Sequence, residues 1–246
     1  MIALALLLLA QAEMPADRLD ACAALADEQP EAAIAEASRW IMAQGGAQAR
    51  QCLGIGYAAQ QRWLPAATAF EQAAREAEVA RDGRAAQIWV QAGNARLAAG
   101  DAPGAHAALT AALSSGILTG GERGEAHLDR ARASVALGDL KAARDDLDKA
   151  VELAPADPLA WLLSATLARR QGDLNRAGRD IAEAAKRSPD DAAVALEAGN
   201  IAILSGAAEA ARVAWQAAVA AQPDSDAGRA AAASLKELGS PPAAPK

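Results

Sequence analysis

Proline recurs at Pro155, Pro189 and Pro223 in steps of 34 residues, and the residues between them keep the same register. After the Asp157-Pro158 boundary come Trp161, Ala165, Gly172-Asp173-Leu174, Ala177, Ile181 and Ala184. One step earlier stand His127, Ala131, Gly138-Asp139-Leu140, Ala143, Leu147 and Ala150. One step later stand Ala195, Gly199, Gly206-Ala207-Ala208, Ala211, Trp215 and Ala218. Agreement at so many positions without a gap marks a chain built from one structural unit used repeatedly. Such a chain folds as a stack of neighbours, with no single central core.

Elementary propensities describe one unit. A first helix over about 159–170 ends at Gly172, a residue able to take the left-handed conformation that closes helices. Asp173 then caps a second helix over about 175–186, its carboxylate accepting from free backbone N–H groups. Ser188-Pro189-Asp190 closes the unit. Ala165 and Ala177 allow the two helices to approach closely, and Trp161, Leu174 and Ile181 supply bulk around that contact. One hairpin cannot bury this face alone, so hairpins must stack. Composition points the same way. Hydrophobic residues make up 52% of the 246, and 74 residues are alanine, the strongest helix former but a poor filler of volume. The aromatic and β-branched residues that long sheets need are scarce, with one Tyr, one Phe and five Trp. This argues against a sandwich, a barrel or a large α/β sheet.

A 34-residue unit with Trp, Gly or Ala, Gly-Asp-Leu, Ala, a large apolar residue, Ala and Pro in that order resembles the tetratricopeptide repeat. The likeness is strongest over 124–157, 158–191 and 192–225. In 86–123, Trp89, Gly93, Gly100-Asp101-Ala102, Ala105, Leu109 and Ala112 are in place. There Ile117 replaces the closing proline, and Gly120 to Arg123 reads as a short insertion. In 47–85, Leu53-Gly54, Tyr57, Trp63, Ala66, Phe70 and Ala73 fit. Gln61 replaces the turn glycine, and Asp82-Gly83 lies in a longer linker. Residues 13–46 read as a degenerate first repeat, with Asp27-Glu28-Gln29-Pro30 at its turn and Ala33, Ala37 and Trp40 on its packing face. A capping helix is expected over 226–238 and a flexible tail over 239–246. The resemblance implies an all-α fold, an α-solenoid of antiparallel helical hairpins in a right-handed superhelix whose first helices line the inner face.

The resemblance also implies a function. Members of the family hold peptides or helices of protein partners on the inner face, so a non-catalytic interaction scaffold without a cofactor is expected. Positions two, five, nine, twelve and thirteen of each unit give the lining. The candidate groove residues among them are Asn94, Leu97, Leu128, Arg132, Val135, Leu162, Thr166, Arg169, Leu196, Asn200 and Ile203. Asn94, Arg132, Thr166 and Asn200 recur at one level, where Asn and Arg can hold a backbone or a carboxylate. The Leu and Val beside them offer apolar contact. Arg169 and Arg170 also suit a helix C-terminus electrostatically. The version of the family that clamps a C-terminal carboxylate uses Lys and Asn; this chain has Asn94 and Arg132 but lacks the Lys. The alternative is a structural or self-associating subunit whose groove stays empty.

The N-terminal residues 1–12, MIALALLLLAQA, read as a signal peptide. The apolar run is too short to span a bilayer, and Ala10-Gln11-Ala12 fits the small-x-small cleavage rule, leaving Glu13 as the mature start. No Lys or Arg precedes the run, so a hydrophobic first helix of a cytosolic adaptor is the competing reading. The expected location is the periplasm or another exported compartment, of a bacterial envelope. Cys22 and Cys52 lie nearly one repeat apart, on first helices of adjacent units. Under oxidising conditions they can pair; otherwise they serve as small buried hydrophobes.

Other chemistry is excluded more simply. A net charge of -7, from 24 basic and 31 acidic residues, gives no electrostatic reason to bind nucleic acid or anionic lipid. No other segment approaches a membrane span. Two histidines, His106 and His127, cannot build a histidine zinc cluster, and neither has a nucleophile and an acid at recognisable spacing. Gly116 to Gly124 holds four glycines without a lysine or a preceding strand, so it is no phosphate loop. Asp145, Asp146 and Asp148 alternate with Lys141, Arg144 and Lys149, the pattern of a solvated helix face with local ion pairs.

Overall fold

The computed structural model describes residues 18–239. The expected signal peptide at 1–12 and the tail after Gly239 lie outside the described residues. The chain is all-α, a solenoid of helical hairpins. These are α1 (Arg18–Glu28) with α2 (Pro30–Met42), α3 (Gly46–Ala59) with α4 (Trp63–Val79), and α5 (Ala85–Ala98) with α6 (Ala102–Ser114). Next come α7 (Gly120–Ala136) with α8 (Leu140–Leu153), α9 (Pro158–Arg170) with α10 (Leu174–Arg187), and α11 (Ala192–Leu204) with α12 (Ala208–Ala221). Helix α13 (Asp226–Leu238) packs on α11 and α12 and covers the last hairpin. Each hairpin touches the next through its second helix, α2 on α3, α4 on α5 and so on to α10 on α11.

The turns inside the hairpins follow the sequence. Gly100, Gly138, Gly172 and Gly206 all have φ between +74 and +81, the left-handed residue that ends a helix. The residue after each then donates its backbone N–H five positions back, as Asp173 does to the Ala168 carbonyl at 2.9 Å. Asp101, Asp139 and Asp173 cap the second helices by accepting from the backbone N–H groups of Gly104, Ala142 and Arg176. In the first two hairpins the left-handed residue is not always glycine, whether inside a hairpin at Gln61 or between hairpins at Gln44 and Arg81. Gln44, Gln61 and Arg81 hold φ of 62, 57 and 55. Arg62 still bonds back to the Tyr57 carbonyl at 2.9 Å and Asp82 to Ala77 at 2.8 Å.

Small residues set the distance between paired helices. Ala165 and Ala177 are fully buried. A Cβ built on Gly93 would fall 2.5 Å from Leu109 Cγ, and one on Gly199 would fall 2.3 Å from Trp215 Nε1. The large residues Leu109, Leu147, Ile181 and Trp215 fill the space that these small ones leave. At the N-terminal end, Cys22 on α1 and Cys52 on α3 are joined as a disulfide with Cα atoms 5.8 Å apart, an ordinary spacing for such a bond. Trp40, Ala33 and Ala49 pack around it.

One expectation, the solvated face of α8, needs correction, and the short insertion at Gly120 to Arg123 takes a definite form. It forms the first turn of α7, which therefore spans 17 residues, and Glu122 on that turn accepts from Gln87 of α5 at 2.7 Å. The glycines of this stretch consequently sit mostly in a helix, and Gly124 is small because a Cβ there would meet Ala154 at 2.8 Å. The charged face of α8 is only half solvated. Lys141 and Asp145 form an exposed pair, but Asp146 is 4% exposed. Asp146 accepts from Arg130 at 2.7 and 2.8 Å and lies 2.8 Å from His127 Nδ1. Burial pushes the Asp146 carboxyl up, and the hydrogen bonds from His127 and Arg130 outweigh it, leaving the group below its usual value. Arg144 likewise turns inward, donating to the Ser164 hydroxyl at 2.7 Å and carbonyl at 3.2 Å. Ser164 in turn donates to Asp180. The polar side chains of α8 thus tie one repeat to the next.

Candidate functional site

The expected groove residues fall on the first helices α5, α7, α9 and α11. They form two polar groups with an apolar cleft between them. In the first group Arg132 of α7 donates to Asp129 at 2.9 Å, and the Asn94 side chain of α5 lies near enough to the same carboxylate to favour its charged form. Burial raises the Asp129 pKa; Arg132 and Asn94 oppose that, Asp157 adds repulsion, and the net shift is upward. In the second group Arg169 of α9 grips Glu197 of α11 with contacts of 2.7 and 3.2 Å. Asn200 donates to Glu197 at 3.4 Å and accepts from Trp215 Nε1 at 3.2 Å. Glu197 is buried, so this bridge is held away from water, where a charge-assisted hydrogen bond is strong.

Between the groups a cleft of about 230 Å³ opens where α7 faces α9. Ala131, Val135, Leu147, Leu163 and Leu167 form its walls, and Arg132, Thr166 and Arg170 complete its lining. The Thr166 hydroxyl is already committed to the Leu162 carbonyl at 2.9 Å, so it presents mainly its methyl group. Arg170 is exposed and makes no hydrogen bond or ion pair among the described residues.

The eleven expected residues therefore have different fates. Arg132, Val135 and Thr166 meet at the cleft. Leu128 does not line a groove at all; it is 4% exposed and belongs to the core with Ala131 and Leu147. Leu162 and Leu196 are half-buried against the cores of the last two repeats, and Leu97 is half-buried away from the cleft. Arg169 is a bridge between repeats. Asn200 and Ile203 line a separate cavity of about 320 Å³ beneath α13, with Trp215, Ser234, Glu237 and Leu238. Sequence reasoning missed Asp129 and Glu197, the acids that engage these cations and amides. Each lies three residues before a polar groove position, Arg132 or Asn200, and that spacing places the two on one helix face.

His127 is bound into the Asp146 and Arg130 network. Among the described residues no group of three or more His, Cys, Asp or Glu could hold a metal ion, and no helix is long and apolar enough to cross a membrane.

The sequence pattern of the tetratricopeptide repeat family matches residues 90–158 and 162–228, more than half of the chain. The chain belongs to the tetratricopeptide repeat family. No curated protein matches it by sequence. Solved tetratricopeptide repeat structures share its fold. YrrB, described as a TPR protein with an unusual peptide-binding site, aligns with a TM-score of 0.61 at 20% identity, covering 85% of this chain and 99% of YrrB. The pilF protein of Pseudomonas aeruginosa aligns with a TM-score of 0.65 at 14% identity, covering 89% of this chain and all of pilF. BtubC from P. vanneervenii gives 0.64 at 15% identity, with 94% and 96% covered. At these identities the likeness establishes the tetratricopeptide repeat fold alone. Tetratricopeptide repeat proteins bind protein partners, and they are generally scaffolds without catalytic activity.

Proposed function

We propose that this chain is a non-catalytic scaffold that holds an extended or helical segment of a partner protein across its first helices, centred on the cleft between α7 and α9. One observation carries the reading: Arg132 and Arg169 engage the acids Asp129 and Glu197 on either side, while the apolar cleft between them remains open. Open apolar surface with a few polar groups on its rim is the usual form of a binding site. The peptide-binding site attributed to YrrB, a protein of the same fold, supports it by analogy. Paired affinity purification tests it. A partner retained by the wild-type chain is lost when Thr166→Trp fills the cleft, and is kept when Lys141→Trp alters the exposed face of α8. The opposite pattern would move the binding face to the second helices and favour the structural-subunit reading.

We also propose that the chain works in an oxidising, exported compartment. The closeness of Cys22 and Cys52 across α1 and α3 supports this, because such bonds persist outside the reducing cytosol. Intact-mass measurement of the native protein with free thiols blocked tests it. A chain beginning at Glu13 with both cysteines protected is expected; a full-length chain with two free thiols contradicts it.

A further inference from the structure

The charges around the cleft say what kind of segment it takes. Asp129 is already matched by Arg132 and Glu197 by Arg169. Arg170 faces the cleft unmatched. Arg132 uses one guanidinium nitrogen on Asp129, and its half-exposed side chain leaves the remaining N–H groups free among the described residues. Two guanidinium groups, one on each helix, therefore border an apolar slot walled by Val135, Leu163 and Leu167. Guanidinium groups bind carboxylates through directed, charge-assisted hydrogen bonds, and like-charged residues at such a rim are rejected.

We infer that the cleft takes a partner-protein segment in which a Leu- or Ile-sized side chain fills the slot and an Asp or Glu side chain one or two residues away meets Arg170 and Arg132. This rests on the reading of the first-helix face as the binding face. It assigns recognition to side-chain carboxylates and not to a chain end.

The test is selection of short random peptides, joined at both ends to a carrier so that no free C-terminus exists, against the folded chain. Enrichment of an apolar residue with Asp or Glu within two positions is expected. Arg170→Glu should weaken the best such peptide about tenfold and improve the version carrying Lys in place of its acid. Raising the salt should weaken the wild-type complex. Thr166→Trp should abolish binding of all selected peptides. Val135→Phe provides a second block should Thr166→Trp lower the helical circular dichroism signal. Peptides that are lost on blocking the cleft but show no acid enrichment and no response to Arg170→Glu would overturn this inference and leave the binding face standing. Peptides indifferent to both blocking variants, or no enrichment at all, would overturn the binding face and the inference together.

Discussion

The Arg84 guanidinium donates to Asp82 at 2.6 Å, and the Arg84 backbone N–H adds a further bond at 3.0 Å. Together they outweigh partial burial and hold the Asp82 carboxyl down at about 2. This pair fixes the turn from α4 into α5, where the left-handed residue is Arg81 and not a glycine. A carboxyl lowered on folding stabilises the native state fully above its unfolded pKa, and that contribution fades as pH falls toward the folded value. The stabilisation is thus complete at neutral pH and disappears between about pH 4 and pH 2. NMR titration of Asp82 should give a midpoint near 2 in the wild-type chain. In Arg84→Ala it should return toward the ordinary carboxylate range of about 4. An unchanged midpoint in the variant would show that Arg84 is not the cause. Asp129 behaves oppositely: burial lifts its carboxyl while Arg132 and Asn94 restrain it. Arg132→Ala should raise the Asp129 midpoint further in the same experiment.

At the scale of helices, the pairing of α5 with α6 depends on Gly93. Alanine is the better helix former by about 1 kcal/mol. An added methyl here would nevertheless fall 2.5 Å from Leu109 Cγ and 2.9 Å from Cδ2, and overpacking of this kind costs about 1–3 kcal/mol. Gly93→Ala should therefore lower the denaturation midpoint, and shortening Leu109 to Val in the same chain should recover part of the loss. A stabilised Gly93→Ala would mean that propensity outweighs packing. The same contrast explains what the sequence reveals. Helices α7 to α12 could be placed closely from Gly138, Gly172 and Gly206 and from Asp139 and Asp173, because turn and cap chemistry has a residue signature. Helix ends at Gln44, Gln61 and Arg81 were less legible, since the left-handed residue itself is not a glycine there. The lining of the cleft was legible in part. Spacing identifies the face on which Leu128, Arg132, Val135 and Thr166 lie, but it does not give depth, so Leu128 passed for lining and Asp146 for a solvated residue. Nor does spacing within one unit reveal that Arg169 reaches Glu197, which lies one repeat further along.

For the whole molecule, a stack in which each hairpin touches only its neighbours is weakest at its ends. Helix α13 protects one end. At the other, the Cys22–Cys52 bond ties α1 to α3 across 30 residues of chain, a closure that contributes roughly 3–4 kcal/mol in the loop-entropy picture. Reduction should accelerate amide hydrogen exchange in α1 and α2 while leaving α7 to α12 unchanged. Uniformly faster exchange would mean that the stack unfolds as one cooperative body. The central claim, that a partner lies across the first helices at the α7–α9 cleft, is tested most directly by site-specific photo-crosslinking in the cell that makes the protein. A photoreactive residue at position 166 should form an adduct with a partner chain, and one at position 145 on the exposed face of α8 should not. Adducts from position 145 and none from position 166 would contradict the account.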